Sequence, residues 1–144
     1  MELRRVTDAF SVSPQIAPED IAQLKARGFA LVVNNRPDGE EPDQPAGAEI
    51  ETAVRAAGLD YRAIPVAGGL AQVQAAELAE ALAGATGPVL AFCRSGTRST
   101  LLWALAQAGT GGDPEAIAAA AEGAGYDIAP VRAAVEQLAS RGRG

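Results

Sequence analysis

Two uninterrupted apolar runs, Phe29-Ala30-Leu31-Val32-Val33 and Val89-Leu90-Ala91-Phe92, stand out in a chain otherwise patterned mostly at helical spacing. A strand without a polar face is one covered on both sides, as in the middle of a parallel sheet. Shorter strands are predicted at Leu3–Val6, at Phe10–Val12, which Pro14 ends, and at Tyr61–Val66. Helices fill the intervals. Pro18-Glu19-Asp20 suits a first turn, with acids near the positive end of the helix, followed by a face of Ile21, Leu24 and Ala26 and a stop at Arg27-Gly28. Ala46–Ala57 carries Ile50 and Val54 four apart and ends at Gly58; Ala71–Leu82 is read with Val73, Leu78 and Leu82 inward. Ser99–Ala108 is apolar around most of its circumference, which places it inside the fold. Gly109–Gly112 breaks it, Asp113-Pro114-Glu115 reads as the cap and first two positions of the next helix, and Pro130 starts the last, with Val131, Ala134, Val135 and Leu138 on one face and Arg141–Gly144 as a frayed end.

Strands alternating with helices predict an α/β fold: a mostly parallel central sheet with helices on both faces, one domain over residues 1–144, the C-terminal helices spanning 113–141. Ligands of such sheets bind beyond the carboxyl ends of the strands, which puts the loops after Val33, Val66 and Phe92 on one rim. Asn35, Arg36 and Asp38 are then in reach of the loop after Phe92. Their own loop, Asn34–Pro45, is long, polar and rich in Pro and Gly, fitting either a functional loop or a solvated connector.

Composition narrows the chemistry. Net charge is −6, which argues against a general nucleic-acid or anionic-membrane surface. No run approaches the ~20 apolar residues of a membrane span, and no apolar signal core follows Met1-Glu2-Leu3-Arg4-Arg5. One cysteine permits no internal disulfide, so a cytoplasmic setting is expected. There is no histidine, which removes Ser-His-Asp and Cys-His catalysis and histidine metal sites; no metal and no cofactor are expected.

The lone cysteine opens the loop Cys93-Arg94-Ser95-Gly96-Thr97-Arg98-Ser99, between the second apolar run and the buried helix. A strand, a short polar loop and a helix start in series form an anion cradle of backbone N–H groups backed by the helix dipole. At its floor the thiolate of Cys93 is favoured over the thiol. The plainer reading of Cys93 is a small buried residue. Arg98 either clamps a substrate oxyanion or forms a surface ion pair; Arg94 points either into the site or to solvent. Ser95, Gly96 and Thr97 offer N–H groups, with Gly96 free to take positive φ. Ser99 either donates to the thiolate or caps the helix. Asp38 is a general-acid candidate or a turn residue before Gly39, Arg36 adds positive potential or is a solvated loop charge, and Trp103 reads as core.

Ser11-Val12-Ser13-Pro14-Gln15-Ile16, Asn34-Asn35-Arg36-Pro37-Asp38-Gly39-Glu40, Ile64-Pro65-Val66 and the Cys93–Ser99 loop together resemble the beta-lactamase-hydrolase-like protein family, specifically its phosphatase-like domain, also described as a sulfurtransferase family. The resemblance runs from about 3 to 107. It implies a protein-tyrosine-phosphatase-like three-layer fold, like that of dual-specificity phosphatases. Some relatives add a persulfide-oxidising metallo-hydrolase domain, which these 144 residues do not contain.

Cysteine phosphatases space Cys and Arg by five residues; here four intervene, the spacing of rhodanese-type sulfurtransferases. Phe92 stands where the phosphatase histidine would be, and Val66-Ala67-Gly68-Gly69 contains no acid where dual-specificity phosphatases carry one. On these grounds the sequence favours a sulfurtransferase that takes sulfane sulfur from thiosulfate or a persulfide onto Cys93 and passes it to a thiol acceptor. The alternative is a phosphatase that forms a phosphocysteine from a phosphate ester. A third reading is a non-catalytic anion-binding or redox-sensing module.

Overall fold

The computed structural model describes residues 1–70 and 72–143. Five strands form one sheet in the order β1-β2-β5-β3-β4: β1 (Arg4–Thr7), β2 (Phe10–Ser13), β3 (Leu31–Asn34), β4 (Asp60–Ala63) and β5 (Val89–Phe92). Only the β1–β2 pair is antiparallel; β2–β5, β5–β3 and β3–β4 are parallel. The predicted mostly parallel sheet is the one observed.

Both apolar runs lie at its centre, and side-chain alternation deals their residues to two cores. Val33, Val89 and Ala91 join Phe10 and Val12 on one face; Val32, Leu90 and Phe92 join Tyr61 on the other. The first face is covered by α3 (Gln72–Gly84), α4 (Thr97–Gly109), α5 (Pro114–Gly123) and α6 (Arg132–Arg143); the second by α1 (Ile21–Ala26) and α2 (Gly47–Ala56). Helix α4 is buried nearly all round, and its Trp103 stacks on Phe10 with ring centroids 5.8 Å apart. Asp113 caps α5, its carboxylate accepting from the Ala116 N–H at 3.0 Å.

Several local expectations change. Pro18–Asp20 forms a 3-10 turn ahead of α1, and β4 stops at Ala63, although Ile64 and Val66 remain buried. Val73 is 69% exposed; α3 buries Ala75, Leu78 and Ala81. Residues five apart on a helix differ by about 140° in direction, so Val73 and Leu78 cannot share a face. For the same kind of reason Ala134 is exposed, while Val135 and Ala139 pack inward. Pro130 lies in a 3-10 turn, Ala129–Val131, before α6, which continues through Arg143 where a frayed end was expected. The predicted helix start at Ala71 and the tail residue Gly144 lie outside the described residues. No helix among the described residues is long and apolar enough to cross a membrane.

Candidate active site

The site begins as a register. Ser13 and Asn34 flank Phe92 from the two neighbouring strands, so three chains leave the sheet side by side. Their hydrogen bonding continues past the strand ends. Asn35 N–H donates to Phe92 O at 2.9 Å, Cys93 N–H to Ser13 O at 3.4 Å, Gln15 N–H to Arg94 O at 3.4 Å and Val66 N–H to Asn35 O at 2.9 Å. The loops after β2, β3, β4 and β5 thus share one base, on the rim the topology predicts.

Cys93 is fully buried at that base. Its Sγ accepts the Gly96 N–H at 3.1 Å. Gly96 has φ of +90° and is the residue before α4, so its left-handed turn folds the N–H back onto sulfur. Thirteen-residue α4 starts immediately beyond, with its positive dipole end toward the sulfur. Thr100 closes the first helical bond onto Gly96 O at 3.0 Å, and its hydroxyl donates to the same carbonyl at 2.8 Å.

Arg98 faces the sulfur. Its Nη1 donates to Glu40 Oε2 at 2.7 Å and to Val66 O at 2.8 Å, and its Nη2 donates to Glu40 Oε1 at 2.8 Å. The Glu40 hydrogen bond is the main reason the guanidinium pKa lies above its ordinary value; partial burial opposes it, and the nearby Cys93 adds. Glu40 Oε1 also accepts from Arg36 Nε at 2.9 Å. Arg36, itself buried, donates through Nη1 to Gln15 Oε1 at 3.1 Å and places Nη2 3.3 Å from Glu41 Oε1. Glu41 Oε1 lies 2.9 Å from Arg94 Nε. Three arginines and two glutamates therefore chain the long loop after β3 to the cysteine loop.

Glu40 is held at a pKa of about 2 against an ordinary 4.5, chiefly by the Arg98 hydrogen bond, with Arg36 adding and desolvation opposing. Its folded value lies below its unfolded one, so its contribution to stability is complete above about 4.5 and is lost as pH falls through about 2. Urea unfolding followed across that window is expected to show the folded state weakening with acid, and Glu40→Gln is expected to flatten this part of the profile; an unchanged profile would remove Glu40 as the titrating group.

Not every residue singled out in the sequence joins this group. Asp38 turns the other way: its Oδ1 accepts the Gly47 N–H at 2.8 Å at the start of α2. Arg94 joins the group only through Glu41 and otherwise lies on the solvent side, its side chain 71% exposed. Ser95 Oγ donates to Thr97 Oγ1 at 3.0 Å and accepts the Thr97 N–H at 3.4 Å, so that N–H is taken up within the loop. Ser99 is buried and its Oγ has no hydrogen-bond partner: neither the expected bond to sulfur nor the cap is formed, because the cap position is Gly96, three residues earlier. Glu40, Glu41, Gln15 and Tyr126 received no role from the sequence. The Tyr126 hydroxyl donates to Ser95 O at 3.0 Å. No local pattern points to Tyr126, which lies 31 residues beyond Ser95.

The family model for the beta-lactamase hydrolase-like protein, phosphatase-like domain, matches residues 2–110. A beta-lactamase hydrolase-like protein of Agrobacterium fabrum is 38% identical over 109 residues, 75% of this chain and 25% of that protein. The chain thus spans about a quarter of the length of the curated relatives it matches. A crystal structure of a candidate phosphatase from Neisseria meningitidis Z2491 superposes with TM-score 0.82 at 29% identity, covering 96% of this chain and 99% of that one. The structure of a cysteine-to-serine variant of P. aeruginosa TpbA in complex with phosphotyrosine superposes with TM-score 0.66 at 18% identity, covering 99% of this chain and 90% of that one. The fold is that of the protein-tyrosine-phosphatase-like proteins.

Proposed function

The chain belongs to the beta-lactamase hydrolase-like, phosphatase-like domain family, and on that premise we propose that it is a cysteine-dependent phosphatase acting on phosphate monoesters. One observation carries the reading. Beside the buried sulfur, the Arg98 fork grips a two-oxygen anion, the Glu40 carboxylate, with bonds of 2.7 and 2.8 Å. Two oxygens of a phosphoryl group present the same acceptor spacing, and an arginine fork suits both. A substrate would take the place of Glu40 on Arg98.

In the reaction, the Cys93 thiolate attacks phosphorus, the ester P–O bond breaks and the departing oxygen takes a proton from water. Water then attacks the phosphocysteine, the S–P bond breaks, inorganic phosphate leaves and the thiolate is restored. Arg98 and the positive end of α4 bear the charge on the phosphoryl oxygens. Arg36 and Arg94 add positive potential at the mouth, and Ser95, Thr97 and Ser99 shape the loop.

Among the described residues, no carboxylic acid is poised beside the sulfur. Glu40 stays ionised between two arginines, and Asp38 would have to release the Gly47 N–H before it could act as an acid. The reaction then depends on a leaving group stable as an anion, which favours aryl over alkyl phosphates. The phosphotyrosine held by the TpbA variant is of that class. Turnover of aryl phosphates is expected to exceed that of alkyl phosphates by roughly the 10²–10⁴ that a positioned acid supplies; equal rates on phosphotyrosine and phosphoserine peptides would reveal an acid.

Sulfur transfer, preferred on the loop spacing, the lack of an acid after Val66 and Phe92 in place of the phosphatase histidine, receives less support, since the family and the solved relatives are described in terms of phosphatases. Mass spectrometry of quenched protein separates the readings. A phosphoryl adduct on Cys93 after incubation with an aryl phosphate is expected. A single added sulfur from thiosulfate, with no phosphoryl adduct, would overturn the phosphatase reading in favour of the persulfide, and neither adduct would leave an anion-binding or redox module.

A further inference from the structure

Cys93 and Tyr126 grip the same peptide unit from opposite ends. The Ser95–Gly96 peptide donates its N–H to Cys93 Sγ at 3.1 Å, and its C=O accepts the Tyr126 hydroxyl at 3.0 Å. In a trans peptide these two groups point in opposite directions, and the described backbone contains no cis bond. We propose that Tyr126 is a positioning residue for the nucleophile: by holding the carbonyl outward it aims the Gly96 N–H at the sulfur and so favours the thiolate. The proposal rests on the thiolate reading of Cys93 made above, and assigns to the C-terminal segment, beyond residues 2–110 of the family match, a part in the chemistry of the loop.

The need for such a brace comes from Gly96. A glycine at positive φ is conformationally permissive, and a peptide next to it can rotate at little cost. The tyrosine removes that freedom. It also occupies the space a side chain at 96 would need, since a Cβ there would collide with the Tyr126 hydroxyl. Tyr126 is in turn held from β1. The Arg4 guanidinium lies 5.6 Å from the centre of its ring, and Arg4 Nη1 donates to Ala124 O at 3.3 Å. Burial raises the Tyr126 hydroxyl above its ordinary pKa, so it remains a donor throughout the neutral range. Replacing it by phenylalanine therefore removes a hydrogen bond without changing any charge.

The groups that bear on the sulfur are the nearby Arg98, Glu40 and Arg36 through Arg98, Arg94 with Glu41 at the mouth, and Tyr126 with Arg4 and Glu2 on the far side. Tyr126→Phe leaves every one of these charges in place. A shift in Cys93 reactivity would thus report the orientation of the peptide rather than the local field.

The test is the pH dependence of Cys93 alkylation by iodoacetamide on the full chain; Cys93 is the only cysteine, and because it is buried the midpoint of the profile and the ratio between variants, not the absolute rate, are read. Tyr126→Phe is expected to slow alkylation about three- to ten-fold at pH 7 and to move the profile to higher pH, the scale of weakening one hydrogen bond to a charged group. Thermal stability should change little. Tyr61→Phe is the control, since it deletes a hydroxyl bonded to Asn34 and Gly47, away from the loop, and should leave the profile in place. Should Tyr126→Phe fail to fold, Arg4→Lys keeps the hydroxyl and the charge but gives up the planar guanidinium over the ring, and should give a smaller shift in the same direction. A Tyr126→Phe profile superimposed on that of the parent would overturn the proposal alone. A parent profile matching a free thiol would overturn it together with the thiolate reading. A shifted profile in a protein without phosphate-ester turnover would uphold the positioning role and defeat the phosphatase reading.

Discussion

Cys93→Ser is expected to lower aryl-phosphate turnover by at least about 10⁴-fold while the fold persists, the scale of removing a covalent nucleophile. The physical reason is specific to this chain. A serine hydroxyl in the same place would need a base to take its proton, and the protein contains no histidine. The charged groups around the sulfur do not fill that role: Arg98 is a permanent cation, and Glu40, with a pKa of about 2, is too weak a base. A thiol is intrinsically far more acidic than an alcohol and so has less need of a base, and here the Gly96 N–H meets the sulfur at 3.1 Å where α4 begins. Serine differs from cysteine by one atom and is the smaller of the two, so it fits the same buried position, and circular dichroism should match the parent with at most a small loss in the thermal melt. Phosphate release close to the parental rate would remove Cys93 as the nucleophile.

Arg98→Lys is expected to reduce turnover by roughly 10²–10³-fold, the loss associated with one well-placed oxyanion donor, and Arg98→Ala by more. Lysine keeps the charge but lacks the planar fork. It cannot reproduce two parallel bonds to an anion together with the bond to Val66 O that fixes the guanidinium against the loop after β4. If the fork acts chiefly on the transition state, kcat and kcat/KM should fall together; a rise in KM at constant kcat would show that it serves ground-state binding only. The fold should persist in both variants, with Arg98→Ala less stable than the parent because Glu40 loses its main partner. Parental rates for Arg98→Ala would exclude Arg98 from the mechanism.

The loop of Cys93 was legible because its signals are local. Four apolar residues, a polar turn with glycine at the third position after the cysteine and an apolar helix specify a strand, a left-handed turn and a helix start without reference to the rest of the chain. The rim was legible too, because parallel strands must present their carboxyl ends together. Helix phase was less so where alanine dominates. In α3 small apolar residues fall on most faces, so Val73 looks as fit for the core as Ala81, and in α6 Ala134 adjoins the buried Val135; only the neighbours decide which are covered.

The partners of the site were hidden for a different reason. Glu40 meets Arg98 across 58 positions, and Tyr126 reaches Ser95 across 31. Neither pair obeys a period, and each residue taken alone resembles an ordinary loop charge or a partly buried aromatic. Asp38 shows the converse: its position in the loop suggested an acid for the site, yet the short path to Gly47 ties it to a helix start.

Amino-acid order alone thus determined the kind of sheet, the cysteine loop at its rim and the glycine that turns it, since hydrophobic alternation and backbone sterics act over a few residues. Tertiary structure alone decided which carboxylate meets Arg98, which serine is left without a partner and which tyrosine braces the loop, because those contacts depend on where separate segments are brought together by the burial of the two cores.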